Sequence, residues 1–237
     1  MKIRGFIKQS LVDYPGEIAA VVFTQGCNLR CPFCHYGHLV TKPGKIADDY
    51  IPEQDILDFL ADRSSFLDAL VISGGEPTLH SDLPEFIRRV KELGYLVKLD
   101  TNGTNCVMLE YLIKNNLVDY VAMDIKAPIE LKAYQDACGN LNPEDFFNIR
   151  NSINLLLNAD IKAEFRTTVV PSLHNPEDII AIAKYIKGAE LYSLQQFNPE
   201  VTLHPGYESV VPYSKEEMEQ LADKCSPYVN KVKILNI

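Results

Sequence analysis

Short apolar runs alternate along the chain with segments whose apolar residues recur at helical spacing. Residues 18–24, IAAVVFT, are a continuous apolar run rich in β-branched residues, which is typical of a buried strand. Residues 52–62 place Ile56, Leu57 and Leu60 on one helix face. The first pattern predicts strands at residues 18–24, 68–77, 95–103, 119–128, 161–171, 189–199 and 231–237. The second predicts helices at residues 52–62, 82–94, 105–116, 143–158, 175–188 and 214–225.

The order of these elements predicts an α/β fold with six β/α units and a final strand. Strands that alternate with helices form a parallel sheet with right-handed crossovers. Strands that are apolar on both faces are expected where helices cover one side and a barrel core fills the other. Because six units are two fewer than a closed barrel contains, we predict a partial (β/α)6 barrel with a parallel sheet and outer helices. A doubly wound open sheet is the alternative.

No linker-like break separates the units, so the chain is interpreted as a single domain over residues 1–237. Around the six units it would contain an N-terminal extension (1–17), a long rim loop (35–51) and a C-terminal strand (231–237). Loops beyond about 12 residues in a compact domain are often lids or binding loops. Asp82 and Gly94 are the expected N-cap and C-terminal stop of the second predicted helix.

Composition narrows the classes of partner. The chain has 237 residues, 46% of them hydrophobic, and a net charge of −9. It has no run of lysine and arginine of the kind that marks a nucleic-acid binder. No apolar run approaches the roughly 18 residues of a membrane span, and the first residues lack the apolar stretch of a signal peptide. We therefore expect a cytoplasmic protein that binds neither nucleic acid nor membrane.

Three of the six cysteines lie within eight positions, directly after the first predicted strand. Cys27, Cys31 and Cys34 have the spacing C-x3-C-x2-C, and no fourth cysteine is near them in sequence. The isolated cysteines, which are Cys106, Cys138 and Cys225, are interpreted as small buried hydrophobic residues. A cytosolic chain is not expected to use these six as a disulfide framework.

Three thiolates on one short loop can bind three irons of a cubane [4Fe–4S] cluster. The fourth iron then has no protein ligand and can bind a small molecule, as the open position of a catalytic metal site does. The alternatives are a zinc site completed by His35 or His38, and three inert thiols. Zinc modules usually pair two separated ligand knuckles, and a domain of this size does not need a metal for stability. The cubane interpretation is therefore favoured.

Polar and glycine-rich segments lie at the carboxyl ends of the predicted strands. Catalytic residues occupy that edge of the sheet in barrels and in open α/β sheets. Cys27 comes just after the first strand, and the later strands end with SGGEP (73–77), DTNG (100–103), MDIKAP (123–128), RTTVVPSLHN (166–175) and QQFNP (195–199). The sequence thus predicts that the chemical residues share one rim.

The motif CNLRCPFC, followed by SGGEP after the next strand, resembles the radical S-adenosylmethionine superfamily, and the resemblance extends over nearly the whole chain. The resemblance implies a partial barrel of radical SAM type that binds a [4Fe–4S] cluster and S-adenosylmethionine. It implies that Cys27, Cys31 and Cys34 are the catalytic cluster ligands. The open iron of such enzymes chelates the cofactor, and the reduced cluster cleaves the sulfonium to methionine and a 5′-deoxyadenosyl radical.

The same resemblance implies contacts to S-adenosylmethionine at each strand end. Phe33 would pack near adenine, Gly74 and Gly75 would let the backbone approach the methionyl ammonium, and Glu76 would anchor that loop or contact the ammonium. The remaining expected contacts are Asp100 and Asn102 to the methionyl end, Asp124 to the ribose, Lys126 and Arg166 to the carboxylate and, as weaker candidates, Gln195 and Gln196.

Within the superfamily the chain is most similar to glycyl-radical-enzyme activases, in particular the longer activating proteins of anaerobic ribonucleoside-triphosphate reductase. The segments SLVDYPG before the first strand, His35 after the third cysteine, DTNG and DIKAP carry this similarity. It implies hydrogen abstraction from a glycine of that partner, with a flavodoxin- or ferredoxin-type electron donor. One departure is Tyr36, where activases commonly have asparagine. A single cluster is expected because the chain lacks a ferredoxin-like cysteine insert.

Two other functions are open. One is a radical enzyme acting on a small molecule, like 7-carboxy-7-deazaguanine synthase, or on another peptide. Its closed pocket would use histidines, for which the candidates are His38, His80, His174 and His204. The other is a scaffold without catalysis that binds a cluster or zinc.

Overall fold

The computed structural model describes residues 1–40, 50–139 and 141–236. One eight-stranded sheet runs through it, and strand order follows chain order. The strands are β1 Ile3–Ser10, β2 Ala19–Thr24, β3 Ala69–Gly74, β4 Leu96–Thr101, β5 Tyr120–Asp124, β6 Lys162–Val169, β7 Leu191–Gln196 and β8 Val232–Leu235. The helices are α1 Gly37–Val40, α2 Glu53–Asp62, α3 Leu83–Glu92, α4 Cys106–Lys114, α5 Leu131–Cys138, α6 Pro143–Asn158, α7 Pro176–Tyr185 and α8 Lys215–Cys225.

Strands β2 to β8 are parallel throughout, and each neighbouring pair is joined through at least one helix. The strand order never reverses, whereas a doubly wound sheet reverses at its switch point. The predicted partial (β/α)6 barrel is therefore confirmed, and the doubly wound alternative is wrong.

The N-terminal segment contains a strand that the sequence analysis did not assign. β1 pairs antiparallel with β2, with Ile3 opposite Thr24 and Ser10 opposite Ala19. Its central residues are half-buried or exposed, so its sequence lacks the apolar run by which the other strands were found. The turn that follows carries Tyr14, which is 2% exposed and lies under the amino-terminal ends of the parallel strands.

Helix α5 was also not predicted. It has only eight residues, and its sequence LKAYQDAC mixes apolar and polar residues. Its buried side chains are Tyr134, Ala137 and Cys138, too few to produce a clear helical pattern. Of the predicted rim loop 35–51, the first part forms α1, and residues 41–49 lie outside the described residues.

The two faces of the sheet differ in character. The outer face carries large aliphatic residues such as Val22, Leu70 and Ile72, which pack against the helices. Burial of each such side chain contributes roughly 1.5–3 kcal/mol, so this face supplies most of the stabilising packing. The inner face has a floor of small or aromatic residues, which are Tyr14, Ala19, Val21, Ala69, Val71, Tyr120 and Ala122. Polar and charged side chains lie above that floor.

Two helix-end predictions have different outcomes. Gly94 follows α3 with φ of +89°, as a C-terminal stop requires. Asp82 occupies the N-cap position of α3, as predicted, but its side chain makes no capping hydrogen bond. Its carboxylate instead accepts a hydrogen bond from the amino group of Met1 at 2.6 Å.

Within the described ranges, every helix falls short of the length and apolarity needed to cross a bilayer.

Candidate functional site

The carboxyl ends of the parallel strands place the predicted residues along one rim. The cysteine loop, defined as residues 27–34, follows β2, and Gly75 and Glu76 follow β3. Asp100 lies near the end of β4, while Asp124 at the end of β5 is in direct register with Arg166 of β6. Strand register therefore brings together residues that are distant in sequence.

Backbone groups take part in each of the following hydrogen bonds within the cysteine loop. The amide of Cys34 donates to the carbonyl of Cys31 at 3.1 Å, and the amide of Leu29 donates to Sγ of Cys27 at 3.4 Å. Nη1 of Arg30 donates to the carbonyl of Cys27 at 2.6 Å. Cys31 is buried, and Cys27 and Cys34 are half-buried.

All three thiols have a raised pKa. Burial raises the pKa of Cys27 to about 12, and the Glu76 carboxylate adds to this effect. Burial raises the pKa of Cys34, with a further contribution from Cys31. The pKa of Cys31 is raised well above its ordinary value, first by a hydrogen bond with Cys138 and then by burial. Without a bound cation these groups are thiols at neutral pH, and metal binding would release their protons.

The donor set fits a cluster better than a single ion. Within the described residues, no three side chains of His, Cys, Asp or Glu are arranged to hold one metal ion. The thiolates of a tetrahedral zinc site would lie about 3.8 Å apart, given a zinc–sulfur bond of about 2.3 Å. In a cubane each thiolate binds a different iron, so the sulfur atoms need not converge on one point.

His35 and His38 are the histidines of the zinc alternative. Among the described residues, no hydrogen bond orients either of them towards the thiols. His35 and His38 pack edge-on against Tyr36, with ring centroids 5.3 and 6.3 Å away. Tyr36 in turn lies 5.4 Å from the ring of Phe23, on the inner face of β2.

Gly74, the last residue of β3, and Gly75 permit close contact with the residues just before the cysteine loop. Gly75 donates from its amide to the carbonyl of Thr24 at 2.9 Å, and Glu76 donates to the carbonyl of Gly26 at 2.8 Å. A Cβ on Gly75 would lie 2.0 Å from the carbonyl oxygen of Gly26, and Gly74 has φ of +114°. The glycines are thus required by the approach of the two loops.

Glu76 is a fully buried anchor of the rim. Its Oε1 accepts hydrogen bonds from the amide and the hydroxyl of Thr78 and, at 2.7 Å, from the hydroxyl of Thr101. Its Oε2 accepts from the amide of Asn102 at 2.7 Å. Burial raises the pKa of Glu76 despite these donors. Of the two roles predicted for it, the contacts favour the anchor.

Asn102 connects this anchor to the cysteine loop. Its Nδ2 donates to Oδ1 of Asn28 at 3.0 Å and lies 3.8 Å from Sγ of Cys27. Its Oδ1 accepts from the amide and hydroxyl of Thr104 at 3.0 and 2.7 Å. Asn102 therefore positions Cys27.

Four predicted residues form an ion-pair chain, defined as Asp100, Arg166, Asp124 and Lys126. Arg166 donates from Nε to Asp124 at 2.8 Å and lies 3.2 Å from Asp100 through Nη1. Lys126 donates from Nζ to the other oxygen of Asp124 at 2.8 Å. Oδ2 of Asp100 also accepts from Ser73, and Oδ1 lies 3.2 Å from Nζ of Lys98 without accepting a hydrogen bond.

The ion pairs determine the protonation states of these four side chains. Burial alone would raise the pKa of Asp124, but Arg166 and Lys126 outweigh it and lower the pKa to about 2. Burial is likewise outweighed at Asp100, whose pKa is lowered by Arg166 and Lys98. Burial would lower the pKa of Lys126 and of Arg166, but the neighbouring carboxylates raise both. All four side chains are charged at neutral pH.

Three other residues predicted to contact the cofactor are not part of the ion-pair chain. Phe33 is only 6% exposed and packs in the outer apolar core. Oε1 of Gln195 accepts from Thr168 at 3.3 Å, and Gln196 donates to the carbonyl of Tyr213 at 2.7 Å.

The four candidate histidines do not line one pocket. Nε2 of His80 lies 3.1 Å from the carbonyl of Gln25. Nδ1 of His174 accepts from the amide of Val170 at 3.0 Å, and its Nε2 lies 2.8 Å from the carbonyl of Lys126. Nδ1 of His204 accepts from the amide of Gly206 at 3.1 Å. These three histidines bind loop backbone, whereas His38 packs against Tyr36.

Sequence reasoning missed several residues that support the site. Asn28, Thr78 and Thr101 are adjacent to predicted motifs, and that proximity was the available signal. Lys98 alternates with Asp100 along β4 and so shares its face. Cys138 is far from the cysteine loop in sequence, and no sequence signal linked the two.

Comparison with known proteins identifies the class. The profile of the Radical SAM superfamily matches residues 21–186. The chain therefore belongs to the radical SAM superfamily and is a radical SAM enzyme. Its cofactors are those of the superfamily, a [4Fe–4S] cluster and S-adenosylmethionine.

Individual relatives refine this assignment. A protein of Methanocaldococcus jannaschii with the provisional name of a glycyl-radical enzyme activating enzyme is 37% identical over 238 residues, which are 99% of this chain and 96% of the relative. A second protein of that organism with the same provisional name is 31% identical over 175 residues, covering 72% of this chain and 63% of the relative. Both of these relatives are thus named as activating enzymes.

Among solved structures, Streptococcus suis SuiB bound to the precursor peptide SuiA is similar to this chain, with a TM-score of 0.70 and 16% identity. The match covers 91% of this chain and 48% of SuiB. At this identity the likeness concerns the fold alone.

Proposed function

We propose that this chain activates a glycyl-radical enzyme and that its partner is anaerobic (class III) ribonucleoside-triphosphate reductase. The observation that carries the activase class is the 37% identity over nearly the full length of both chains to a protein named as an activating enzyme. The choice of reductase rests on the similarity of FTQGCNLRCPFCH and SLVDYPG to the activating proteins of that enzyme.

Cys27, Cys31 and Cys34 are assigned as the ligands of the cluster. They are the three thiols of one rim loop, and Asn102 fixes the orientation of Cys27. When bound, the reduced cluster supplies the electron that cleaves S-adenosylmethionine to methionine and a 5′-deoxyadenosyl radical, which takes hydrogen from Cα of the partner's glycine.

The ion-pair chain is assigned to the methionyl and ribose groups. Lys126 has three donors and uses one for Asp124, while Arg166 has five and uses Nε and Nη1 for its two carboxylates. Both cations keep donors for the methionyl carboxylate. Asp100 and Asp124 keep lone pairs for the ammonium and the ribose hydroxyls, and their charges hold the cations in place.

The segment Gly74–Gly75 is assigned to the methionyl ammonium through its carbonyl groups, with Glu76 as the anchor of that segment. Phe33 supports the cysteine loop from the apolar core, and only its small exposed part is available to adenine. Gln195 and Gln196 are assigned no direct contact.

The inner face is suited to admit a peptide from above. Tyr14 and Tyr120 close the floor, with ring centroids 5.5 Å apart, and this excludes water from below. β1 and β8 are the two edges of the sheet, so the barrel is open between them. A glycine-bearing loop of the partner would reach the inner face of the sheet through this opening. A flavodoxin- or ferredoxin-type protein would supply the electron.

Anaerobic reconstitution and EPR test this function. The native protein is expected to bind about four irons per chain and, with reductant, S-adenosylmethionine and the reductase, to generate a glycyl doublet. Cys34→Ala is expected to lose the cluster, while Cys225→Ala, at a buried cysteine near the carbonyl of Ile179, retains it. A native protein without iron would overturn the assigned ligands. Cleavage of S-adenosylmethionine without a glycyl doublet would overturn the choice of partner.

A further inference from the structure

His174 is the one candidate histidine that is buried, with an exposed fraction of 1%. It follows β6 and therefore lies on the same rim as the ion-pair chain. Its ring contacts backbone groups of two different loops. Nδ1 lies 3.0 Å from the amide nitrogen of Val170, and Nε2 lies 2.8 Å from the carbonyl oxygen of Lys126. The ring thus connects the loop after β6 to the loop after β5.

The two contacts determine where the imidazole proton lies. The amide of Val170 can only donate, so Nδ1 of His174 accepts and carries no proton. A neutral imidazole then has its proton on Nε2, and the carbonyl of Lys126 can only accept it. Burial lowers the pKa of His174, which favours the neutral ring. One tautomer therefore satisfies both bonds, and the other satisfies neither.

The segment around His174 is itself held firmly. The amide of His174 donates to the carbonyl of Val170 at 2.8 Å and closes a turn. Oη of Tyr213 donates to the carbonyl of His174 at 2.9 Å. The next residue, Asn175, is the N-cap of α7 in a complete capping box. The ring therefore projects from a fixed turn and can act as a support for the neighbouring loop.

The backbone of Lys126 is held on both sides. Its amide donates to Oη of the buried Tyr134 at 3.3 Å, while its carbonyl accepts from His174. The preceding residue, Ile125, donates from its amide to the carbonyl of Arg166 at 2.7 Å. His174 therefore fixes the peptide group on the carboxyl side of Lys126.

A fixed backbone matters because the ammonium of Lys126 has two tasks. Nζ donates to Asp124 at 2.8 Å, and its other donors are assigned to the methionyl carboxylate. The four-carbon side chain is flexible, so the ammonium can follow Asp124 when the backbone shifts. It cannot then also keep its contact with a cofactor that is held elsewhere. A shift of this loop should therefore weaken the cofactor contact and leave the ion pair.

We propose that His174 is a positioning residue for S-adenosylmethionine, whose Nε2–H group holds Lys126 where its ammonium reaches the methionyl carboxylate. This inference rests on the proposed function, in which Lys126 binds that carboxylate.

Two conservative variants separate the two bonds of the ring. The amide nitrogen of glutamine lies near the place of Nε2, so His174→Gln can still donate to Lys126. Asparagine is shorter, so His174→Asn can still accept from Val170 but does not reach Lys126. On the anaerobically reconstituted full chain, calorimetry is expected to show a Kd for S-adenosylmethionine raised about tenfold in His174→Asn, as loss of a hydrogen bond from a charged donor implies. His174→Gln should bind nearly as the native protein does.

A double-mutant cycle and a second histidine provide the controls. If His174 acts through the ammonium of Lys126, His174→Asn should have no further effect on the Kd in a Lys126→Met background. His204 is exposed, and its Nδ1 accepts from the amide of Gly206 at 3.1 Å. His204→Asn is therefore expected to keep the native Kd.

NMR of the imidazole nitrogens provides a readout that needs no cofactor. The native full chain is expected to show His174 as the neutral Nε2–H tautomer. An Nδ1–H tautomer or a cation at neutral pH would overturn the inference, even if His174→Asn did not fold.

A native Kd in His174→Asn, or an equal rise in His174→Gln, would also overturn it. An equal rise would show that the histidine only stabilises the fold, which denaturant unfolding of the two variants would measure directly. Failure of the reconstituted native protein to bind S-adenosylmethionine would instead overturn the proposed function, so the two failures are distinguishable.

Discussion

The cysteine loop and the ion-pair chain lie on the same rim but are held in different ways. The loop is held by backbone hydrogen bonds, such as that from the amide of Arg30 to the carbonyl of Cys138, and Gly26 just before it accepts from the amide of Glu76. The ion-pair chain is fixed by side-chain charges, with Arg166 between two carboxylates. Steric changes should therefore damage the first region most, and charge changes the second.

The largest effect is expected from Gly75→Ala. Its Cβ would lie 2.0 Å from the carbonyl oxygen of Gly26, and backbone cannot move away as a flexible side chain can. We expect a loss of about 4 kcal/mol in the free energy of unfolding and loss of iron binding, measured by denaturant unfolding and iron analysis. Gly94→Ala is the control, because a Cβ there meets nothing within 4 Å and only the φ of +89° causes strain. Equal losses in both variants would show that loop contact is not the cause.

Arg166→Met tests the ion-pair chain. Removing this buried cation leaves Asp100 and Asp124 without a shared partner, and breaking a buried pair costs about 3–5 kcal/mol. We expect about 3 kcal/mol here, because Lys98 and Lys126 remain near the two carboxylates. Arg166→Lys keeps the charge and should lose less. The free energy of unfolding at neutral pH measures both, and an Arg166→Met protein of native stability would contradict the pairing.

The pH dependence of stability gives a smaller effect at Asp124. Its pKa is lowered to about 2 in the folded protein, from about 3.9 in the unfolded chain. Its ionised form therefore contributes about 2 kcal/mol, in full above about pH 4 and progressively less as the pH falls towards 2. The stability difference between the native protein and Asp124→Asn should shrink over that range in acid unfolding curves. A difference that stays constant from pH 6 to pH 2 would refute the lowered pKa.

The smallest effect is expected at Tyr36, which is 39% exposed and packs on Phe23. Tyr36→Asn removes this ring contact, which is worth about 0.5–1.5 kcal/mol, whereas Tyr36→Phe keeps it. Thermal unfolding should separate the two variants by a few degrees. Equal melting temperatures would show that the ring contact contributes nothing to stability.

Prediction from sequence succeeded where the signal is local. The six β/α units were found because continuous apolar runs and helical spacing are properties of short segments. β1 and α5 were missed because their sequences are mixed and each is stabilised by its place in the fold, β1 by pairing with β2 and α5 by packing under the cysteine loop.

The candidate site divides in the same way. The sequence located the rim residues, but it did not show that Asp100, Asp124, Lys126 and Arg166 pair with one another. Those contacts depend on strand register, which places Asp124 beside Arg166. Nor could it show that Glu76 is saturated by Thr78, Thr101 and Asn102.

The sequence by itself determined the class of this protein, because the cysteine spacing and the order of strands and helices are written within short stretches of chain. The tertiary structure decided which side chains meet. Close backbone approach explains why Gly75 must be glycine, and the docking of α5 brings Cys138 to the cysteine loop. Contacts of this kind join residues distant in sequence, and only the packing of the whole chain fixes them.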